Sequence, residues 1–302
     1  MKQAAGIQGA GDEVGGLDLA PLSPVLGAAI RGLDIGHADI ALQVPAIRAA
    51  FSKHHLLVFP HQALTRDQIE AFGRQFGEVE THIAQRADGS VLSAVHEVAN
   101  LDADGRPTAN PYIKANYHWH SDKSYTPYPS FLTMLHAVEL PPSGGDTQFT
   151  NMAHAYAALA PGMQERIADL RVEHSFEHAM VKVVGQALSE EVKQKAPPVV
   201  HPLVVTHPET GEKCLYIGMY AARVLDMAAA EGAALLRELL AHATRPEFVY
   251  RHTWRPGDFI MWDNRCLMHR AIANYQITAQ RRILHRCVVK GSEPYVGARH
   301  RV

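Results

Sequence analysis

The chain has 302 residues, 47% hydrophobic and 20% charged, enough to bury a large core in one big domain or two ordinary ones. Its 29 Lys+Arg against 31 Asp+Glu give a formal net charge of -2, so no basic field concentrates nucleic acid or an anionic membrane, and neither is expected as a partner. Nineteen histidines are the compositional feature that needs a reason.

Residues 1–16 are Gly/Ala-rich and unpatterned, which predicts a flexible leader followed by a single domain over 17–302. Leu56-Leu57-Val58-Phe59 before Pro60 reads as a buried strand. From Thr65 to Phe76 the pattern is helical: Thr65 and Gln68 can form a capping box, Leu64 and Ile69 a staple, and Ile69, Phe72 and Phe76 share a face before Gly77. Ala155–Leu170 and Ala228–Ala243 read as further helices, the second burying Leu235, Leu236, Leu239 and Leu240. Leu203–Thr206 and Cys214–Ile217 flank a Pro208-Glu209-Thr210-Gly211 turn and predict a hairpin. Strand-like runs follow at Phe259–Trp262 and Arg282–Val289. The whole predicts an α+β chain built around an antiparallel sandwich or barrel. The three cysteines, Cys214, Cys266 and Cys287, lack CxxC spacing and read as small core residues of a protein in a reducing cytoplasm. No apolar run reaches the roughly 18 residues of a membrane span, and the N-terminus has no hydrophobic signal segment.

Three stretches carry chemistry. In Asn116-Tyr117-His118-Trp119-His120-Ser121-Asp122, an extended backbone would put Asn116, His118, His120 and Asp122 on one side. That pattern is either a solvated strand face or a metal site, since two His and one carboxylate on a face of an octahedron suit non-heme Fe(II). In Arg255-Pro256-Gly257-Asp258 through His269, a tight turn leads to a buried strand, a polar Asp263-Asn264-Arg265 break and a second apolar run. His269 by itself is a strand-end histidine. In Arg281–Val289, alternation puts Arg282, Leu284, Arg286 and Val288 together, the two arginines roughly 13 Å apart at about 3.3 Å per residue. They form either a basic edge or two anion sites, because a guanidinium offers a carboxylate or sulfonate a bidentate fork.

Taken together, these segments resemble the taurine dioxygenase and 2,4-dichlorophenoxyacetate dioxygenase family of Fe(II)/2-oxoglutarate-dependent oxygenases from about Leu17 to Tyr295. The shared blocks are Leu57–Gly77, Trp119-His120-Ser121-Asp122, Gly144-Gly145-Asp146-Thr147, Trp262-Asp263-Asn264-Arg265 leading to His269, and Arg281-Arg282. The resemblance implies a double-stranded β-helix (jelly roll) with flanking helices. It further implies His120, Asp122 and His269 as iron ligands, Arg282 and Thr147 on the distal carboxylate of 2-oxoglutarate, and Trp262 nearby. His82, Asn116 and Arg286 fall at substrate-contacting positions. Gln85 stands where taurine dioxygenase has its substrate tyrosine, and the 270–280 loop is longer, so taurine is not the implied substrate. Glu247–His252 and Asn264-Arg265-Cys266 look closer to the phenoxyacetate enzymes.

The implied activity is hydroxylation of an aliphatic C–H of a small organic anion (alkylsulfonate, alkyl sulfate or aryloxyalkanoate), with 2-oxoglutarate and O2 converted to succinate and CO2. An assembly of identical chains, dimer or tetramer, is expected. Asp122 argues against halogenation, because related halogenases lack that carboxylate. The competing reading is a cupin-type metalloprotein using His118 and His120 without 2-oxoglutarate.

Overall fold

The computed structural model describes residues 12–80, 94–109, 114–185 and 187–294. The first strands are β1 (Asp12–Val14), β2 (Leu17–Pro21), β3 (Ala28–Arg31), β4 (Leu56–Phe59), β5 (His96–Ala99), β6 (Ser130–Glu139), β7 (Thr147–Asn151) and β8 (Arg171–His174). They are followed by β9 (Val199–Pro202), β10 (Val204–Thr206), β11 (Lys213–Leu215), β12 (Ala221–Val224), β13 (Val249–His252), β14 (Phe259–Asp263), β15 (Leu267–Ala271) and β16 (Ile283–Lys290). One large sheet runs β1-β2-β3-β4-β14-β6-β16-β5, with smaller sheets β13-β7-β15 and β12-β8-β9 and the hairpin β10-β11. Among the described residues only the β3–β4 pairing is parallel. The mixed sheet with helices is the α+β class expected.

Period-two alternation divides the large sheet into two faces. Leu57, Phe59, Leu132, Met134, Phe259, Met261, Cys287 and Val289 pack with the helices Val44–His54 and Arg66–Arg74, where Phe59, Phe72 and Phe259 meet edge to face. The intervening residues, among them Val58, Leu135, Trp262 and Leu284, pack instead with Phe149, Leu267 and Met268 of the β13-β7-β15 sheet. A strand covered on both sides is continuously apolar, which is why Leu56–Phe59 carries no alternation. The chemistry-bearing side chains lie on this second face.

The helix Arg66–Arg74 begins at the expected capping box, with Thr65 and Gln68 exchanging side chain to backbone hydrogen bonds of 2.9 and 3.2 Å. The helix Ala229–Ala243 and the β10-β11 hairpin also form, Gly211 taking a φ of +75° in the turn. Three expectations change. The 155–170 segment is two helices, Met152–Ala157 and Pro161–Ile167, because Pro161 has no N–H to continue the first and its ring disfavours a helical residue before it. Residues 12–14, expected within the leader, form a strand paired with 17–19. Asn116–Asp122 is not an extended strand: Lys114–Tyr117 turn helically, His120 makes a single bridge to His269, and the chain turns again from Asp122.

Candidate active site

His269 lies in the middle of β15, and the His120–His269 bridge, with N–H···O bonds of 3.1 and 2.8 Å, brings the two imidazoles together at a centroid separation of 4.2 Å. The turn after His120 carries Asp122 back to the same point, so one ligand-type atom from each of His120, Asp122 and His269 lies within 4.8 Å of the others. Alternation along a strand therefore does not join His120 to Asp122; a bridge and a turn do. His118, which alternation placed beside them, is exposed and lines a different cavity, although its carbonyl accepts the His120 Nδ1 proton at 2.7 Å. That bond fixes the tautomer and leaves Nε2, 3.9 Å from Asp122 Oδ1, with its lone pair free.

Asp122 is held from behind. Thr133 donates to Oδ2 at 2.6 Å, Asn264 Nδ2 donates to Thr133 at 2.9 Å, and Asn264 Oδ1 accepts from both the Asp122 backbone N–H and Trp262 Nε1–H at 3.1 Å. Trp262 and Thr133 are register partners across β14 and β6, which puts this relay on the inner sheet face. Burial by itself would raise the Asp122 carboxyl, but Arg286, His269, His120 and the Thr133 hydroxyl hold it well below the usual carboxylate range. Burial drives both imidazoles the other way, His269 well below its ordinary value, so they are neutral at physiological pH. His269 Nδ1 is buried with no hydrogen-bond partner. A dry pair of neutral imidazoles with an ionised carboxylate and an orphaned nitrogen fits a divalent cation, and the donor set suits Fe(II).

A cavity of about 110 Å³ opens over the triad, lined among others by Asn116, Thr147, Trp262, Arg282, Leu284 and Arg286. Arg286 of β16 and Arg282, the residue just before that strand, share its wall. Arg286 Nη2 is 2.7 Å from Asp122 Oδ1. Arg282, 8% exposed, donates to the Gly145 carbonyl at 2.9 Å and approaches Thr147 Oγ1 at 3.5 Å, and among the described residues no carboxylate pairs with it. A buried guanidinium without a counter-ion is costly, and that cost is relieved by an anion in the cavity.

The double glycine makes this approach possible. A Cβ on Gly145 (φ +72°) would sit 3.0 Å from Arg282 Cδ, and one on Gly144 (φ +80°) 2.3 Å from the Asn274 carbonyl. Trp254 Nε1 donates to Thr147 Oγ1 at 3.0 Å, and the Arg282 guanidinium lies 6.0 Å from the Trp254 ring. Trp254 was missed in the sequence, although it stands at the mouth of the Arg255-Pro256-Gly257-Asp258 turn that was singled out. Thr133 had no signal at all. Trp262 lines the cavity with its ring 4.6 Å from that of His269, its N–H committed to Asn264. His82 and Gln85 lie outside the described residues.

A three-residue metal face with separate open positions and a carboxylate anchor beyond it is the layout of oxygenases that couple non-heme iron to a 2-oxo acid. The chain belongs to the taurine catabolism dioxygenase TauD, TfdA family, whose model matches residues 18–288. It is 38% identical over 271 residues to the alpha-ketoglutarate-dependent 2,4-dichlorophenoxyacetate dioxygenase of Cupriavidus pinatubonensis, covering 87% of this chain and 94% of that one. It is also 31% identical over 286 residues to the alpha-ketoglutarate-dependent sulfate ester dioxygenase of Pseudomonas putida, covering 92% and 91%. Among solved structures, AAD-2 in complex with Mn(II) and N-oxalylglycine superposes with a TM-score of 0.83 at 36% identity, covering 91% of this chain and 99% of that one. The enzyme class follows: a dioxygenase dependent on Fe(II), 2-oxoglutarate and O2.

Proposed function

We propose that this dioxygenase hydroxylates an aliphatic carbon beside the heteroatom of a small organic anion, an aryloxyalkanoate first and an alkyl sulfate or alkylsulfonate second, within a double-stranded β-helix core formed by the large sheet and β13-β7-β15. The observation that carries this reading is Arg282, a buried cation with no carboxylate partner among the described residues, facing the same cavity as His120, Asp122 and His269. A cupin-type site built on His118 and His120 has no use for it, and His118 is exposed on another cavity.

In this reading His120, Asp122 and His269 hold Fe(II), which with 2-oxoglutarate and O2 supplies the oxidising power and yields succinate and CO2. Arg282 anchors the distal carboxylate of 2-oxoglutarate. Thr147 Oγ1 already faces the Trp254 indole N–H and the Arg282 guanidinium, so its own proton is free to donate to that carboxylate. Arg286 and Asn116, with His82, orient the anionic end of the primary substrate and so aim one C–H. Arg286, now paired with Asp122, would be free to turn to that anion once the carboxylate is held by a metal ion. Trp262, Leu135 and Leu284 exclude water around the reacting carbon. Where the hydroxylated carbon carries ether or sulfate oxygen, the product collapses to a carbonyl and releases the phenol or sulfate. That Cys214, Cys266 and Cys287 are buried and unpaired supports a reducing, cytoplasmic location.

The test is succinate release with Fe(II), 2-oxoglutarate and ascorbate over phenoxyalkanoates, alkyl sulfates, sulfonates and amino-acid-like anions. We expect a phenoxyalkanoate to give the highest kcat/KM; turnover confined to zwitterions or neutral substrates would overturn the assignment of Arg286.

A further inference from the structure

Behind the metal ligands lies a second and larger cavity, of about 410 Å³, within the range of small-molecule sites. It is separated from the first by one layer of backbone. Trp119 and Arg270 face it, while their chain neighbours His120 and His269 face the triad. A Cβ on Gly218 would lie 3.0 Å from the Trp119 carbonyl and 3.4 Å from His120 Cα, so only a residue without a side chain lets this wall close.

The lining divides into two kinds of surface. Along one side run Ala233, Leu236 and Leu240, which share a face of the helix Ala229–Ala243, with Ile217 and Met219 beside them. Around this apolar floor stand cations from three separate elements. Lys182 comes from the helix Phe176–Val184, Arg237 from the leucine-bearing helix and Arg270 from β15, while His178, one turn before Lys182, is kept neutral by burial and by Lys182 itself. The Arg270 guanidinium is held over the Trp119 ring at 4.7 Å and by Gln148 at 2.8 Å, with its terminal N–H groups left over. Among the described residues Lys182 and Arg237 make no ion pair, and no carboxylate lines the cavity. Glu173, the carboxylate that acts on His178, is itself paired with Arg223 at 2.7 Å. A concave apolar surface rimmed by unneutralised cations from three elements is complementary to one kind of ligand, an anionic head on an apolar body.

We propose that this cavity binds an amphipathic organic anion, its head held by Lys182, Arg237 and Arg270 and its body laid on Leu236 and Leu240, at a site distinct from the substrate position beside Arg286. Binding energy comes from both parts. The head gains charge-assisted hydrogen bonds, and the body buries apolar surface.

The probe is decyl sulfate, titrated calorimetrically into the protein loaded with Mn(II) and N-oxalylglycine so that no turnover occurs. A binding event is expected that the Lys182→Glu/Arg237→Glu double variant weakens by about tenfold or more and that Arg286→Ala leaves unchanged. Both reversed residues are exposed, and N-oxalylglycine binding by the double variant serves as the check on folding. Inorganic sulfate is expected to bind far more weakly than decyl sulfate, and Leu236→Ser to narrow that gap. Decyl sulfate binding that survives the double charge reversal in an Arg286→Ala background, or that vanishes with Arg286→Ala alone, would overturn the second site. Equal affinity for inorganic and decyl sulfate would overturn its amphipathic character.

Discussion

Among the described residues two buried clusters offer similar ligand atoms, and they differ in how well their surroundings suit a metal ion. His120, Asp122 and His269 form the first; His55, His207, Asp263 and Cys266 form the second, again with ligand-type atoms within 4.8 Å of one another. They differ in what neutralises the carboxylate. Asp263 Oδ1 accepts from both the backbone N–H and Nε of Arg265 at 2.9 Å, and Oδ2 accepts from Arg265 Nη2 at 2.6 Å and lies 3.1 Å from His207 Nε2. Arg265 is further fixed by Glu209 and by the Phe131 ring, 4.1 Å from its guanidinium. A divalent cation there would face a bound positive charge with every carboxylate lone pair taken. Asp122 meets Arg286 through one oxygen only, and Arg286 lines an open cavity into which it can withdraw. Ligand spacing is therefore not sufficient; the carboxylate also needs a removable partner and an adjoining space.

The sharpest way to separate the clusters is to delete each carboxylate. Asp122→Ala or His120→Ala is expected to abolish Fe(II)-dependent succinate formation while the protein remains folded, and undiminished turnover would remove the triad from the mechanism. Asp263→Ala should instead cost stability, about 3–5 kcal/mol for a buried pair broken on one side, measured by denaturant unfolding of the metal-free protein. The increment in Tm on adding Mn(II) should survive a milder Asp263→Asn change and vanish with Asp122→Ala. Loss of the increment in Asp263→Asn would make the second cluster a metal site after all.

Arg286 of β16 and Arg282 just before it offer a finer division. Arg282→Ala should raise the KM for 2-oxoglutarate with the substrate KM mostly kept, and Arg286→Ala the reverse; equal effects on both would merge the two anion positions. Thr133→Val, which removes the hydrogen bond behind Asp122, should lower metal affinity or turnover by about 10- to 100-fold, and Thr133→Ser should restore most of it.

The smallest expected effect concerns histidines away from both clusters. Burial, followed by the neighbouring His201, pushes His174 down to about 3, and burial also lowers His201. These rings bond Ser124 and the Thr126 carbonyl in the turn that follows Asp122. The unfolded chain takes up protons at these positions below about pH 6.5 while the native state does not, so their contribution is intact above that pH and is lost as pH falls. Each contributes up to about 1.4 kcal/mol per pH unit, and Tm of the metal-free protein should decline between pH 7 and 5. His174→Phe should flatten that slope, and a Tm that rises on acidification would contradict the sign.

Much of the fold was legible because local rules coincide with the tertiary ones. The Thr65–Gln68 capping box, the Gly211 turn and the alternation along β16 depend on neighbours a few residues away, and each holds in three dimensions. The ordered blocks marked His120, Asp122, His269, Thr147 and Arg282, and all five residues line one cavity. The same local logic failed at Asn116–Asp122, where a bridge to His269, nearly 150 residues away in sequence, overrides the alternating pattern. It also failed at Pro161, a local signal passed over.

What the sequence by itself determined, then, is the chemistry available: the residue types, their order and the spacing of the two arginines. Which of 19 histidines converge was settled only by folding, because convergence depends on pairings across distant chain segments. Tertiary structure alone also separated Asp122 from Asp263, since both are buried aspartates beside histidines and an arginine. Only their surroundings in space decide whether the charge is locked or free to accept a cation.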